Sequence, residues 1–327
     1  MASNYFNKAS LVMIPDAPLE GKVLSVKPED RSGDFTFTRA SAATRVNADG
    51  NIEKETSNLL LQSNSFDTTW INSGTTETGG QSGYDGSNDA WLITKVSADA
   101  YRYVAQIISL SGVQTASFYA KAGTLTKVGL LVGGGDNPYV SYDLSAGTIL
   151  AQRASVIDSS ITDVGGGWYR CTMTYNASIS DINIYPDWDQ NNTGTIYIQD
   201  AQLEQGLVAR DVITTTTAAV YGGITDNTPR LDYTDSSCPA LLLEPQRTNF
   251  FPSSEVETSN WLISGGGTTT IEVNAEISPE GVQNAALVTT TAQDGFIYDV
   301  LPSVDGTTYT YSFYVKNVDS ERTRFWI

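Results

Sequence analysis

Apolar and polar residues alternate along many short stretches of this chain, and clusters of Gly, Asn and Asp separate the stretches. Alternation with a period of two is the pattern of half-buried β-strands, and no apolar stripe with a 3.6-residue period persists over three helical turns. The clearest apolar rows are Val128, Leu130 and Val132; Val140, Tyr142 and Leu144; Tyr169, Cys171, Met173 and Tyr175; Ile182 and Ile184; and Ile196 and Ile198. This pattern predicts an all-β fold built on a jelly-roll β-sandwich.

Two parts of the chain follow the same order of motifs. The matching pairs are Asn58–Leu60 with Asn249–Phe251, Trp70 with Trp261, Asp89–Thr94 with Asn284–Thr289, and Ser117–Lys121 with Ser312–Lys316. A repeated order of motifs at a nearly fixed period indicates tandem domains. Because the second copy reaches only partway along the template, we expect tandem jelly-roll sandwiches of which the second is incomplete in this chain.

The composition along the chain predicts four segments. Residues 1–55 form an extended N-terminal arm, 56–212 a jelly roll like those of carbohydrate-binding modules, 213–247 a linker with an edge strand, and 248–327 the first part of a second, homologous jelly roll. In the arm, Phe35 and Phe37 alternate with threonines and predict a half-buried strand. The arm is too short for a core of its own, so it should pack on a neighbour.

In the second jelly roll, a row of large apolar side chains alternates with polar ones. We expect the first set below to point inward and the second outward. The sets are Tyr309, Tyr311, Phe313 and Val315, and Thr310, Ser312, Tyr314 and Lys316.

Charge and hydropathy narrow the range of partners. The formal net charge of the 327 residues is −18, and such a field repels the phosphate backbone, so nucleic-acid binding is not expected. No apolar run approaches the roughly 20 residues that a helix needs to cross a bilayer, so no membrane insertion is expected. Hydrophobic residues make up 40% of the chain, which is enough to form a sizeable core.

The chain contains no histidine, which excludes Ser-His-Asp and Cys-His catalysis. Its two cysteines cannot build a disulfide framework, and Cys171 lies in an inward row, as a small buried apolar side chain would. Two carboxylates suffice for glycoside hydrolysis. With 37 acidic residues some pair will always fit, but nothing singles one pair out. We therefore name no catalytic residues and predict that the protein is not an enzyme.

Sugar binding would need exposed aromatic rings, which stack on the C–H faces of pyranoses, with amides and carboxylates nearby. Six aromatic residues of the first jelly roll are candidates for such a glycan-binding surface: Trp91, Tyr101, Tyr103, Tyr119, Trp188 and Tyr197. The alternative is that these rings fill the sandwich core or a subunit contact, since buried aromatics contribute large apolar areas.

Oxygen ligands are densest just before the last strand predicted in the first jelly roll. The candidate ligands for a structural Ca²⁺ are Asp187, Asp189, Asp200 and Glu204. Calcium takes six to eight oxygen ligands, but the spacing here differs from that of an EF-hand. A solvated acidic loop is the alternative. No other cofactor is expected.

Several motifs resemble a known family. Leu11–Pro15 with Phe35–Asn47 resembles the N-terminal leader of fibre and appendage proteins from tailed bacteriophages, including crAss-like phages. Pro229–Tyr233 with Cys238–Asn249 resembles another segment of that family. Gly167–Arg170 and Ile198–Glu204 resemble late strands of the carbohydrate-binding-module-like jelly rolls that these proteins carry. In that family the leader and linker motifs usually lie close together, whereas here a whole jelly roll separates them.

The resemblance implies a virion structural protein, assembled in the host cytoplasm, that serves as a subunit of a head or tail fibre. Its N-terminal arm would anchor it to phage capsid or tail proteins. It would form a homo-oligomer, a trimer or a dimer, whose outward jelly rolls could bind host surface polysaccharide. Two alternatives stay open: a polysaccharide-degrading tail spike and a secreted glycan-binding module.

Overall fold

The computed structural model describes residues 3–13, 21–188, 190–245, 247–251, 253–264, 269–291 and 295–318. The leader contains one short helix and six short strands: α1 (Ser3–Lys8), β1 (Val12–Met13), β2 (Lys22–Val23), β3 (Ser25–Lys27), β4 (Phe35–Thr36), β5 (Arg45–Val46) and β6 (Ile52–Glu53). No helix in the described part of the chain is long and apolar enough to span a lipid bilayer.

The first sandwich is built from longer strands. They are β7 (Thr56–Asn58), β8 (Ile71–Ser73), β9 (Thr75–Gln81), β10 (Ala90–Lys95), β11 (Tyr103–Leu110), β12 (Val113–Ala122), β13 (Lys127–Gly133), β14 (Tyr139–Asp143), β15 (Thr148–Gln152), β16 (Val156–Gly165), β17 (Trp168–Asn176), β18 (Ile179–Pro186) and β19 (Gly194–Gln205). The remaining strands are β20 (Val220–Gly222), β21 (Leu231–Asp232), β22 (Ala240–Leu241), β23 (Leu262–Ser264), β24 (Thr269–Glu276), β25 (Ala285–Thr290) and β26 (Phe296–Tyr298).

Twelve of these strands form two six-stranded sheets. Sheet one has the order β16-β17-β12-β19-β10-β9, and sheet two has the order β15-β14-β13-β18-β11-β8. Neighbouring strands are antiparallel, and one cluster of buried side chains from both sheets forms the core between them. The predicted all-β, jelly-roll sandwich is therefore confirmed.

The core follows the period-two rows of the sequence. The rows that contain Leu130, Tyr142 and Ile184 point inward from sheet two, and those that contain Met173 and Ile198 point inward from sheet one. Cys171 is also fully buried among these residues, as expected from its place in a row. Alternation of side chains across a strand is sufficient to explain which residues enter the core.

Strands β8–β11 of the first sandwich have counterparts in the second jelly roll. In the first copy β8 pairs with β11 and β9 pairs with β10; in the second, β23 pairs with β26 and β24 pairs with β25. The Asn at the head of each copy makes the same turn. Asn58 Oδ1 accepts the Leu60 amide at 3.1 Å, and Asn249 Oδ1 accepts the Phe251 amide at 3.1 Å. The two sequence copies therefore share topology as well as motifs.

Two sequence-based expectations about burial were wrong. Phe35 lies in β4 but its side chain is 53% exposed, because β4 pairs only with the two-residue strand β2. Residues 309–316 form no strand, and Phe313 and Val315 are exposed rather than inward. In the first copy the matching residues lie in β12 between β17 and β19, whereas the described residues supply no such flanking strands beside 309–316.

The leader packs against the linker of the same chain. Arg39 Nη1 donates to the carbonyl oxygen of Thr228 at 2.7 Å, and the Tyr233 amide donates to the carbonyl oxygen of Val46 at 3.1 Å. Strand β7 also pairs with β20 of the linker. The leader and linker motifs, separated in sequence by a whole sandwich, thus lie together in space. Whether the leader anchors the protein stays a prediction.

Candidate functional site

Five aromatic side chains meet on the outer face of sheet two. Trp188 stacks on Tyr139 with ring centroids 4.9 Å apart, and it meets the rings of Tyr185 and Tyr101 edge-on at 5.0 Å and 5.7 Å. Tyr103 contacts Tyr185 at 5.4 Å. We call these five residues, together with Asn183 and Asp181, the aromatic platform.

The register of sheet two brings the platform together. Val104 pairs with Ile184, so the outward residues beside them, Tyr103 and Tyr185, are cross-strand neighbours. Tyr185 in turn pairs with Gly129 on β13. Gly129 leaves room for an indole ring, because a Cβ built there would overlap Cε3 of Trp188 and lie 2.7 Å from its Cδ2. Trp188 is therefore seated over the backbone of β13.

Polar groups lie beside the rings on the same face. Asn183 and Asp181 alternate with the inward residues of β18, and Asn183 Nδ2 donates to Asp181 Oδ1. Burial raises the pKa of Tyr185 to about 12. Asn183 and Tyr185 are buried, whereas the rings of Tyr101 and Trp188 could stack on a sugar and the carboxylate of Asp181 could hydrogen-bond its hydroxyls.

A cavity of about 340 Å³ opens on the β8 side of sheet two. Its lining residues are Leu59, Leu61, Thr69, Ile71, Gln106, Ile107 and Ile108. Ile107 pairs across the strands with Asp181, so the cavity adjoins the polar end of the platform. The lining is mostly apolar, which suits a hydrophobic contact better than a row of sugar hydroxyls.

Three of the six predicted glycan-binding residues lie in the platform: Tyr101, Tyr103 and Trp188. Tyr139 and Tyr185 were missed. A signal for both was present, because each alternates with a row of inward residues and should therefore point outward. Tyr101 is 53% exposed and Trp188 is half-buried, so part of the platform reaches solvent.

Tyr119 and Tyr197 lie on the opposite side of the sandwich, on the outer face of sheet one. The ring of Tyr84 stacks on Tyr119 with centroids 3.7 Å apart and planes 7° apart, and Arg170 lies 5.6 Å from the same ring. Tyr197 contacts the buried Trp168 at 6.4 Å. Tyr84 covers the buried ring of Tyr119, whereas Tyr197 is half-buried, and neither ring lies in the aromatic platform.

Trp91 points inward rather than outward. Its indole N–H donates to the carbonyl oxygen of Asn64 at 3.0 Å, and its ring meets Phe66 edge-on at 6.3 Å. Trp91 packs against the main core. Trp91 is therefore a core-packing residue, because residues 91 and 93 lie on the same face of β10 and Ile93 points into the core.

The predicted Ca²⁺ ligands are not brought together. Asp189 lies outside the described residues. Asp187 accepts from Asn192 and lies 3.8 Å from Lys95 Nζ, whereas Glu204 accepts from Gln202 Nε2 and the Arg210 amide. Within the described ranges no three acidic or cysteine side chains group as metal ligands would. The carboxylates of Asp187 and Glu204 therefore bind hydrogen-bond donors and cations of the chain itself.

Asp200, the remaining predicted ligand, sits at a β-bulge on the outer face of sheet one. Asp200 and Ala201 of β19 lie opposite the single residue Phe118 of β12, which is the pattern of a β-bulge. The φ of Asp200 is 50°. Its carboxylate accepts from the Tyr84 hydroxyl at 3.0 Å. Burial raises the pKa of Asp200 to about 6, and the charges of Asp89 and Asp85 add to the rise. This carboxylate fixes the Tyr84 loop over sheet one.

No family model matches this chain, and no curated protein matches it. Solved structures similar to it include the enzymatically active domain of tailspike protein 4 from bacteriophage CBA120 (13% identity, 46% of this chain and 21% of that one, TM-score 0.29). A second is a putative sugar-binding protein from Bacteroides thetaiotaomicron (15% identity, 46% of this chain and 95% of that one, TM-score 0.27). A third is the Clostridium thermocellum xylanase 10B complexed with xylohexaose (14% identity, 48% of this chain and 29% of that one, TM-score 0.30).

The chain spans about a fifth of the tailspike domain's length. The TM-scores of all three structures are below 0.5, so these likenesses carry no argument about fold or function.

Proposed function

We propose that the chain is a structural subunit of a bacteriophage fibre or appendage whose first sandwich binds a glycan on the aromatic platform. The observation that carries the binding role is the group of edge-to-face rings around Trp188, beside the amide of Asn183 and the carboxylate of Asp181. Partly exposed rings beside hydrogen-bonding groups are suited to a ligand that is apolar on its faces and polar on its edges.

The virion part of the proposal draws on the resemblance of the leader and linker motifs to phage fibre proteins. In that setting the chain resides in the virion, and its partners are capsid or tail proteins and further copies of itself. Weak binding at each platform would then be strengthened by several copies acting together.

We also propose that the aromatic platform binds its glycan without hydrolysing it. Glycosidases place two carboxylates about 5–10 Å apart. The platform as defined contributes one, Asp181, which accepts a hydrogen bond from Asn183. Its role is better matched to orienting a bound hydroxyl than to cleaving a bond.

The test is binding of the 327-residue chain to a panel of soluble bacterial-surface and plant polysaccharides, measured by affinity gel electrophoresis and calorimetry. For any polysaccharide that binds, Trp188→Ala should raise Kd about tenfold, since lost stacking of about 1.4 kcal/mol corresponds to that factor. Gly129→Ala should act in the same direction, because its new methyl group displaces the indole.

The matched control is Tyr221→Ala, which removes a ring that is 53% exposed on β20, outside the platform. It should leave Kd unchanged. If no polysaccharide binds the wild-type chain, or if Trp188→Ala binds as the wild type does, the platform is not the glycan site.

A further inference from the structure

Five charged side chains of alternating sign form a continuous chain where the leader, the first sandwich and the second jelly roll meet. Arg210 lies between Glu204 and Glu280, at 3.6 Å and 2.7 Å. Lys54 lies between Glu280 and Glu255, at 2.9 Å and 2.5 Å. Each cation therefore joins two carboxylates, and Glu280 joins the two cations.

The five residues come from different parts of the molecule. Glu204 belongs to β19 and Arg210 follows it, Lys54 belongs to the leader, and Glu255 and Glu280 belong to the second jelly roll. All five side chains are at least about 70% buried, and Glu204 is almost fully so. Ion pairs at this depth are screened less by salt than exposed pairs.

Hydrogen bonds from backbone amides and from one side-chain amide complete the same contact. The Leu207 amide, just after β19, donates to Glu255 Oε2 at 3.1 Å, and Asn284 Nδ2 donates to Glu255 Oε1 at 3.0 Å. On the leader side, the Ile52 amide donates to the carbonyl oxygen of Pro279 at 2.8 Å. Each of these bonds crosses from one segment to another or braces a carboxylate that does.

Asparagine side chains make further contacts between the second jelly roll and the strands of sheet one. Asn274 Nδ2 donates to Asp158 Oδ2 at 2.6 Å and to the carbonyl oxygen of Leu207 at 3.0 Å. Asn176 Nδ2 donates to Ser259 Oγ at 2.6 Å. These contacts are polar, and the buried ion pairs are the part most sensitive to losing one partner.

We propose that Lys54 and Arg210 form an ionic clamp that fixes the second jelly roll on the first and uses the leader as its bridge. The leader supplies Lys54, which contacts both Glu255 and Glu280, so it holds the two jelly rolls in one orientation. Loss of Lys54 leaves two partly buried carboxylates facing each other, and the contact then opens more often.

Hydrogen exchange at single backbone amides tests the clamp in the full chain. In Lys54→Met the Leu207 and Ile52 amides should exchange roughly fivefold to tenfold faster, as expected when a coupled ion pair is lost. The Leu59 amide, which donates to the carbonyl oxygen of Leu203 within the first sandwich, should keep its wild-type rate. Glu255→Gln should repeat the effect, and adding it to Lys54→Met should change little more.

Lys316→Met is the matched control, because Lys316 pairs with Glu276 in an exposed contact inside the second jelly roll. It should leave the Leu207 and Ile52 amides unchanged. Wild-type exchange at these amides in Lys54→Met would overturn the clamp. So would equal acceleration of the Leu59 amide, since that would mean general destabilisation instead of local opening.

Discussion

Asn58 offers a sharp test of how the first sandwich is held together. Its side chain is fully buried and makes four hydrogen bonds to backbone groups. Nδ2 donates to the carbonyl oxygens of Ala201 and Ile213 at 3.0 Å and 2.8 Å, and Oδ1 accepts the amides of Leu60 and Leu203 at 3.1 Å and 3.2 Å. One amide thus joins three separate stretches of the chain.

The cost of Asn58→Ala can be worked from these bonds. Each bond contributes about 1 kcal/mol net, and a buried group that loses its partner costs about 1–3 kcal/mol. The Leu60 and Leu203 amides and the Ala201 carbonyl are buried, whereas the Ile213 carbonyl can regain water. We therefore expect a loss of about 4 kcal/mol in the free energy of unfolding, near the upper end for a single substitution.

The repeat provides the control. Asn249 holds the same place in the second copy, but it is exposed, and among the described residues its side chain accepts one hydrogen bond, from the Phe251 amide. Asn249→Ala should cost no more than about 0.5 kcal/mol. Urea unfolding followed by tryptophan fluorescence measures both. Similar midpoints for the two variants would refute the reasoning, because the hydrogen-bond count would then not set the cost.

Two further predictions concern buried charges. Lys95, which is fully buried, donates to the carbonyl oxygen of Gln190 at 2.6 Å and lies 3.8 Å from Asp187 Oδ2. Lys95→Met should lower the free energy of unfolding by about 3 kcal/mol, because it leaves Asp187 without its cation. Adding Asp187→Asn should restore much of that loss, as measured by thermal unfolding. A double variant as unstable as Lys95→Met would contradict the pairing. Because the folded pKa of Asp200 is raised to about 6 from 3.8, the folded state retains a proton that the unfolded state loses between these values. The free energy of unfolding should therefore fall as pH rises through that window, and Asp200→Asn should remove that fall in urea titrations.

Much of the fold was predictable because it depends on local alternation. A residue such as Met173 or Ile184 lies in the core since its parity within a strand decides its direction. Phe313 failed the same test because alternation gives direction only when a strand has neighbours to pair with. Lys95 was not foreseen for a related reason: its parity points inward, but the charge hides that from a pattern built on apolar residues.

The candidate site was less predictable because it depends on register. Tyr185 and Tyr103 become neighbours through pairing between β11 and β18, which lie far apart in sequence. Gly129 carries no chemical signal of its own, yet it makes the seat for Trp188. Asp187 and Glu204, two of the Ca²⁺ candidates, lie beside cations that Lys95 and Arg210 bring from elsewhere in the fold, and closeness in sequence takes no account of such neighbours.

What covers each outer face decides which aromatic cluster can meet a ligand. On sheet one, Gln202 bonds to the segment after β19: its Nε2 donates to the Asp211 carbonyl oxygen at 3.2 Å, and its Oε1 accepts the Ile213 amide at 2.8 Å. Tyr84 then closes over Tyr119. The polar groups on this face already hydrogen-bond to one another, so a ligand there would have to break several of these bonds before it formed its own. On sheet two the rings are held by one another, and Tyr101 remains 53% exposed. The exposed ring of Tyr101 and the half-buried ring of Trp188 can meet a ligand before any hydrogen bond of the chain is broken, which is why we propose the binding role for this face.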